Sequence, residues 1–240
     1  MNKKTQWFFL GLLAIVLLSS FIHALPAGPI VTYVSNTTAT VTAGNRSQDA
    51  KGTITTLTMS NNQQDYKWKA YVGNISGSLA LDDVNGKSIY DWAMGSPTGE
   101  VYATRYSGSV NWANVSCINQ GNVNTEETAL GMGLGIIDNI NGTFKNITHK
   151  SFLVGTKNIT ADSCKSTATY INDAAQSLSD TAFFQEILLQ DDITNNLIYT
   201  TMIENSHTGY DGQNYNFQML VAENESATIP LTYYFYVELG

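Results

Sequence analysis

Side chains alternate strictly between two faces in the segment 231–239, LTYYFYVEL. An extended strand turns successive side chains to opposite sides of a sheet, so a period of two is what a half-buried strand requires. The segment therefore predicts a β-strand. Its more apolar face carries Leu231, Tyr233, Phe235, Val237 and Leu239.

Strand-like runs recur through the rest of the chain. They are rich in β-branched and aromatic residues, and turn residues separate them. The chain has 13 Tyr and only four Pro in 240 residues. The spacing of these runs predicts an all-β fold, an antiparallel β-sandwich built as one large unit or two small ones. The predicted strands are 30–42, 52–59, 67–72, 78–81, 88–94, 99–106, 109–117 and 184–189.

An acidic turn, Asp82-Asp83-Val84-Asn85-Gly86, separates the runs 78–81 and 88–94. Asn-Gly between two strand patterns is a strong hairpin signal. The segment 79–94 also aligns without gaps on 188–203, which has its own Asp-Asp turn. One interpretation is two related modules, 30–117 and 145–240. The other, which we favour, is that hairpins of similar composition look alike.

Helical patterns are few, and we expect at most one or two short helices. Residues 126–134 predict a helical turn or two, which Gly131 and Gly133 weaken. The segment 173–184, DAAQSLSDTAFF, is the best helix candidate in the sequence.

The N-terminus predicts export. Lys3 and Lys4 precede the apolar run 7–22, and a small-residue cleavage site follows it at Ala24, so residues 1–24 read as a secretory signal peptide. An uncleaved anchor is the alternative, and a pilin-type signal fits less well because Pro and Gly follow the run. With the signal removed, we expect nothing covalent to hold the chain to a membrane.

The predicted organisation after the signal has two parts. Residues 25–51 form an N-terminal β-branched segment, which we consider a possible donor strand for a neighbouring subunit. Residues 52–240 form the sandwich body, with a division into two sub-modules near 118–145 left open.

N-glycosylation sequons are abundant. Ser and Thr make up 46 of the 240 residues, so the 23 Asn would give about four sequons by chance, and the chain has eight. The excess predicts a glycosylated surface, although turns rich in Asn and Thr also generate sequons without selection. The sequons are Asn36, Asn45, Asn74, Asn114, Asn141, Asn146, Asn158 and Asn224.

The chain has two cysteines, Cys117 and Cys164. An oxidising compartment would pair them, and closing this loop contributes about 4 kcal/mol in the chain-entropy model. The alternatives are two buried free thiols, or half of a zinc site with His149 as the nearby histidine.

The sequence shows no recognisable catalytic constellation. The net charge of −8 disfavours nucleic acid as a partner. His149 and His207 follow loop patterns, which predicts exposed histidines without a catalytic role, and neither a G-x-S-x-G nor an H-E-x-x-H motif occurs. We therefore predict a protein that is not an enzyme and needs no cofactor.

Two weaker binding patterns remain. The acidic turns at Asp82, Asp83, Asp191 and Asp192 resemble fragments of calcium loops, but they lack the EF-hand spacing, and turn chemistry explains them without a metal. Six aromatic residues could form a sugar-stacking platform, although a place in the core is the commoner role. They are Trp68, Tyr71, Tyr90, Trp92, Tyr102 and Trp112.

Several segments together resemble a group of secreted, Asn/Thr-rich archaeal cell-surface proteins. They include QQDYKWKAYVGNISGSLALDD, IYDW, TGEVYATR, NWANVSC, FQEILLQDD, TGYDGQNYNFQMLVAEN and YYFYVELG. The resemblance covers most of the chain after the signal. It implies an extracellular glycoprotein of archaeal source and carries no catalytic residues. Some archaeal β-sandwich surface proteins form filaments by donor-strand exchange, a mode that only an analogy of fold brings to this chain.

These observations predict a secreted structural glycoprotein at the cell surface, a self-assembling filament or coat subunit. Its partners would be copies of itself, joined head to tail, and its own N-linked glycans. The segment 30–42 would be the donor strand, since it has no charged residue and no Pro. The alternative is an adhesin that binds surface glycans, and an extracellular hydrolase is the third option.

Overall fold

The computed structural model describes residues 67–75, 78–82, 88–93, 96–132, 138–223 and 231–239. These residues form fourteen strands, two short α-helices and one 3₁₀ turn at Trp112–Asn114. The strands are β1 (Trp68–Gly73), β2 (Ser78–Asp82), β3 (Ser88–Ala93), β4 (Gly99–Thr104), β5 (Val115–Cys117), β6 (Phe152–Val154), β7 (Lys157–Ile159), β8 (Ser166–Ala168), β9 (Gln185–Asp191), β10 (Leu197–Met202), β11 (His207–Thr208), β12 (Asn214–Tyr215), β13 (Phe217–Ala222) and β14 (Tyr234–Leu239). The helices are α1 (Gln120–Ala129) and α2 (Ile140–Thr143).

The central sheet has six strands, and every ladder in it is antiparallel. Its order is β14-β4-β10-β9-β5, and β8 pairs with the first half of β9 beside β5. A second, two-stranded sheet of β1 and β13 packs over it through β13 and β10. The predicted antiparallel β-sandwich with one or two short helices is therefore confirmed.

Side chains alternate along the central strands and build one core on each face of the sheet. The first core packs against β13 and the two helices, and includes Val101, Ala103, Leu188, Tyr199, Met219, Val221 and Phe144. The second core packs against the β6–β7 hairpin and the 3₁₀ turn, and includes Tyr102, Trp112, Ile187, Leu189, Ile198, Phe152 and Val154. Because both faces of the sheet are covered, the central strands are buried along nearly their whole length.

Helix α1 begins earlier than the sequence predicted. The side chain of Asn119 accepts a hydrogen bond from the backbone N–H of Asn122 at 2.9 Å, which caps the first turn. The helix ends at Ala129, and Gly131 follows with φ +67°. Asn119, rather than Glu126, is thus the start signal.

The predicted helix over 173–184 is wrong. Asp173 and Phe184 have positive φ angles of 57° and 47°, which a right-handed helix does not contain. The side chain of Gln176 donates to the carbonyls of Thr169 and Phe183 at 2.6 and 2.8 Å. Hydrogen bonds from side chain to backbone therefore organise this segment as an ordered loop.

The predicted hairpin pairs as expected in its strands: β2 and β3 are antiparallel, with Leu79 opposite Trp92. Its turn at 83–87 lies outside the described residues. In the aligned hairpin β9–β10, Leu188 lies opposite Tyr199. The two hairpins thus differ in register by two residues at aligned positions. The division into two sub-modules stays a prediction.

The predicted signal peptide at 1–24 and the predicted strands at 30–42 and 52–59 lie outside the described residues. Within the described part of the chain, no helix has the length and apolar character needed to cross a membrane.

Candidate functional site

The strand β14 forms one edge of the central sheet. It pairs with β4 without interruption from Tyr234 opposite Thr104 to Leu239 opposite Gly99. Among the described residues, no strand pairs with its other edge. An edge strand directs half of its backbone N–H and C=O groups away from its one partner. β14 contains no Lys, Arg or Pro and its ladder has no bulge, so apart from the inward-pointing acid Glu238 it lacks the usual features that keep another strand away.

Apolar side chains line this edge on both faces of the sheet. Phe235 lies on the first face and contacts Tyr71, with ring centroids 4.9 Å apart. Tyr236 lies on the second face and contacts Trp112, with centroids 5.2 Å apart. The rings of Phe235 and Tyr236 and the side chain of Val237 are only half-buried. An added strand would therefore cover apolar surface as well as satisfy backbone groups.

A buried acid holds β14 from the second face. The carboxylate of Glu238 accepts a hydrogen bond from the Tyr102 hydroxyl at 2.9 Å and from the backbone N–H of Gly155 at 2.9 Å. Glu100 is its cross-strand partner in β4. Burial, together with the nearby Glu238, raises the pKa of Glu100 to about 8. Glu100 is therefore neutral over much of the physiological range.

The alternation predicted for the C-terminal strand is confirmed over Tyr234–Leu239, but the strand begins at Tyr234 rather than at Leu231. The sequence alone did not show that the second face, with Tyr236 and Glu238, also lies against a core. The one sequence feature that could have indicated this contact is Glu238 itself, a single charged residue within an otherwise uncharged strand. Its buried partners Tyr102 and Gly155 lie far away in sequence, so no local pattern reveals them.

The two cysteines are bonded, as predicted. Cys117 at the end of β5 and Cys164 before β8 have Cα atoms 4.9 Å apart. Because β5 and β8 both pair with β9, the disulfide joins two short strands at the same edge of the sheet. Every cysteine of the chain is therefore in this bond.

His149 is buried, so the expectation that it is an exposed loop histidine is wrong. Its Nε2 accepts the backbone N–H groups of Ser163 and Cys164 at 3.2 and 3.0 Å. Its Nδ1 lies 2.7 Å from the carbonyl of Lys150 and donates to it, since Nε2 is the acceptor. The ring thus fixes the turn that carries Cys164. His207 is half-buried and stacks on Phe183.

Of the acidic turns, the structure describes the one after β9. The Asp191 carboxylate is buried and accepts the backbone N–H groups of Ile193 and Asn111 at 2.8 and 3.0 Å. Burial alone would raise the pKa of Asp192, but hydrogen bonds from Gln190 and Ser116 and the charge of Lys157 hold it below its usual value. These contacts are the turn hydrogen bonds that were considered above as the alternative to a calcium site.

The other acidic turn is described only at Asp82, within β2, and Asp83 lies outside the described residues. In the described part of the chain, no group of three or more His, Cys, Asp or Glu is placed to hold a metal ion.

Five of the eight sequons lie in described residues. Asn74, Asn114, Asn146 and Asn158 are exposed. Asn141 is half-buried, and its side-chain Oδ1 accepts a hydrogen bond from Gln120 at 2.7 Å. The remaining sequons, Asn36, Asn45 and Asn224, lie outside the described residues.

The sugar-stacking platform suggested by the sequence does not form as one exposed surface. Tyr102 and Trp112 are buried in the second core, and Trp68 and Tyr71 pack against the first. The side chains of Tyr90 and Trp92 lie outside the described part. Among the described residues, the exposed aromatic rings are instead Tyr170, Phe183, Tyr210 and Tyr234. The first three were missed because they stand in loops without a periodic pattern, whereas Tyr234 begins β14.

Comparison with known proteins adds no relative: no protein-family model, no curated protein and no solved structure matches this chain.

Proposed function

We propose that this chain is a secreted structural glycoprotein whose copies join head to tail at the cell surface, as a filament or a coat. The open edge of β14 carries the proposal. Among the described residues no strand pairs with its outer side, and half-buried apolar side chains lie beside it, which is what strand addition from a second copy requires. A head-to-tail contact that does not close on itself produces a linear polymer.

The donor in this proposal is the segment 30–42 of a neighbouring copy. Its sequence, IVTYVSNTTATVT, is β-branched and carries neither charge nor Pro. In an extended conformation, one face would present Ile30, Thr32 and Val34, and the other would present Val31 and Tyr33. Those faces would complete the two apolar surfaces beside Phe235 and Tyr236.

The expected secretion and the resemblance to archaeal surface proteins agree with this role. The acid pair Glu100 and Glu238 is buried in the sheet rather than set in an open cleft, which disfavours a hydrolase built on these two groups. The proposal therefore includes no enzymatic activity and no cofactor. Glycan binding is the second candidate, and the exposed loop aromatics favour it.

The test is assembly of the mature protein with and without its donor. We expect deletion of residues 30–42 to leave folded monomers that do not polymerise, as measured by sedimentation and electron microscopy. A synthetic peptide of that segment should bind these monomers. Polymerisation of the deletion variant at the parent's rate would overturn the proposal.

A matched pair of full-length variants tests the acceptor edge. Tyr234 begins β14, and its side chain is exposed. Tyr234→Lys places a charge on the edge, a device that natural edge strands use against pairing, whereas Tyr234→Phe keeps the edge apolar. We expect slower assembly for the Lys variant and an unchanged rate for the Phe variant. Equal rates for both would argue against β14 as the acceptor.

A further inference from the structure

Side chains close the outer edge of β13, the strand of the second sheet that packs over β10. The hydroxyl of Thr201 donates to the carbonyl of Gln218 at 2.7 Å. The carboxyl group of Glu186 accepts the backbone N–H of Leu220 at 2.9 Å. Side chains of the central sheet thus occupy the positions where a third strand would bond to β13.

The outer edge of β1 differs from that of β13. The backbone N–H of Glu223 donates to the carbonyl of Lys67 at 2.6 Å, which shows which residue pairs of the ladder are hydrogen-bonded. Because such pairs alternate along an antiparallel ladder, the backbone groups of Trp68, Ala70 and Val72 face away from β13. Among the described residues, no strand pairs with this side of β1. β1 is therefore the edge of the second sheet at which a strand can be added.

The edges of β1 and β14 lie on the same side of the sandwich. In the second sheet, β13 lies over β10, where Thr201 bonds to it. Its neighbour β1 extends over β14, since the ring of Tyr71 contacts that of Phe235 with centroids 4.9 Å apart. The two edges thus border one opening between the sheets, which we call the lateral opening.

The first core is incompletely covered at the lateral opening. Among the described residues, nine apolar residues are only partly buried against this core, and they lie in β1, in β14, close to these strands in sequence or at the start of β13. Those in the two edge strands are Trp68, Tyr71, Phe235, Val237 and Leu239. A strand inserted in the lateral opening would therefore remove apolar surface of the first core from water.

The usual dimensions of sheets fit one strand in this opening. Paired strands lie about 4.8 Å apart, so two strands that share a neighbour are about 10 Å apart. Stacked sheets are also about 10 Å apart. One inserted strand can thus extend the ladder of β14 on one side and that of β1 on the other, as happens where a sheet closes into a barrel.

The segment 30–42 suits this position in its composition and its reach. It carries no charge, and an extended form would turn apolar side chains to each face. The 25 residues 43–67 connect it to β1, and fully extended they would span roughly 80 Å. The segment can therefore reach the lateral opening of a second copy.

We propose that the donor strand of a second copy enters the lateral opening and pairs with β1 as well as with β14. The inference rests on the proposed function and adds β1 as a second acceptor strand. Each contact between copies then includes two backbone ladders. The inserted strand also covers the first core on the side where the described sheets leave it partly exposed.

Hydrogen exchange of the full-length protein, as dilute monomer and as assembled polymer, tests the inference. We expect the amides of Ala70 and Val72 to exchange at least about tenfold more slowly in the polymer, together with the outward-facing amides of β14. Unchanged exchange at Ala70 and Val72 in a polymer that protects β14 would overturn the contact with β1 and leave the proposed function in place.

The monomer provides the remaining outcomes of this measurement. Slow exchange of Ala70 and Val72 already in the monomer would mean that a segment of the same chain, such as 52–59, covers β1, and would also overturn the inference. A full-length protein that forms no polymer would contradict the proposed function itself, and with it the inference that rests on it.

A matched pair of full-length variants gives a second test. Ala70 is exposed and its backbone N–H faces away from β13, so Ala70→Pro removes an outward donor and leaves the ladder with β13 intact. Ala70→Ser keeps the donor and serves as the control. We expect polymerisation to be at least about fivefold slower for the Pro variant and unchanged for the Ser variant.

Equal polymerisation rates for the two variants would contradict β1 as an acceptor. Circular dichroism should show that both are folded. If the Pro variant is not folded, the exchange of the parent protein decides, because it requires no substitution. The Tyr234→Lys variant tests β14 alone, so failure at β1 is distinguishable from failure of strand addition as a whole.

Discussion

Glu238 of the edge strand lies directly opposite Glu100 in β4, and both side chains are buried. Like charges on directly paired residues destabilise a sheet, so β14 is held more firmly when one of the two carboxyl groups is neutral. The raised pKa of Glu100 favours that neutral state. The strand that we propose as the acceptor is therefore attached through a contact that depends on protonation.

The first prediction concerns pH. The pKa of Glu100 rises from an ordinary 4.5 to about 8 on folding, so the folded state holds a proton that the unfolded state releases. This stabilising contribution is fully present below pH 4.5 and is lost as the pH rises to about 8. The free energy of unfolding should fall across this window, by at most about 1.4 kcal/mol per pH unit for this group.

Glu100→Gln should flatten that decline, since a neutral amide imitates the protonated acid. Urea unfolding between pH 4.5 and 8 measures the slope for parent and variant, and the exposed Asp180→Asn serves as control. A slope identical to the parent's would contradict the role assigned to Glu100. Glu186, whose pKa burial raises well above its usual value, should retain some of the slope in the variant.

The second prediction concerns His149. Phe at this position would leave the backbone N–H groups of Ser163 and Cys164 without an acceptor, at a cost of about 2–4 kcal/mol. His149→Gln can keep one acceptor and should lose less. Denaturant unfolding under non-reducing conditions ranks the parent and the two variants. Equal stability of the Phe variant and the parent would show that the ring does not fix this turn.

The third prediction concerns the disulfide. Thiol alkylation of the native protein, denatured without a reductant, should label neither Cys117 nor Cys164. Replacing both by Ser should cost about 2–4 kcal/mol, because the unfolded chain regains the freedom of the closed loop. Labelling of both cysteines would mean that the pair is reduced in the native protein.

The fourth prediction concerns glycans. At least half of the eight sequons should carry sugar, and Asn141 should be among the least occupied because its side chain is engaged by Gln120. Glycopeptide mass spectrometry measures the occupancy of each site. An intact mass equal to that of the bare polypeptide would rule out glycosylation altogether.

Local patterns in the sequence were enough to predict the fold class. The alternation in β14 and the aromatic and β-branched runs of β1, β4 and β9 identify strands because their side chains face cores with a fixed period. The failures have local causes as well. The loop 173–184 resembles a helix in composition, but Gln176 and the positive φ of Asp173 and Phe184 organise it otherwise.

The candidate sites were harder to predict because they depend on contacts distant in sequence. The role of Glu238 depends on its hydrogen bonds with Tyr102 and Gly155, and both residues lie far from it in the sequence. The edge position of β14 likewise follows from strand order, and order is set by the whole sheet. The disulfide was the exception, since a chain with two cysteines permits a single pairing within itself.

Strand addition at β14 is the central claim, and hydrogen exchange of its backbone amides tests it most directly. The measurement compares the variant lacking residues 30–42 before and after addition of the 30–42 peptide, with a sequence-scrambled peptide as control. We predict that the outward-facing amides within 234–239 exchange readily in the monomer and become protected with the native peptide only. Unchanged exchange in β14 while the peptide binds, or protection of these amides in a full-length monomer by its own segment, would contradict assembly between copies.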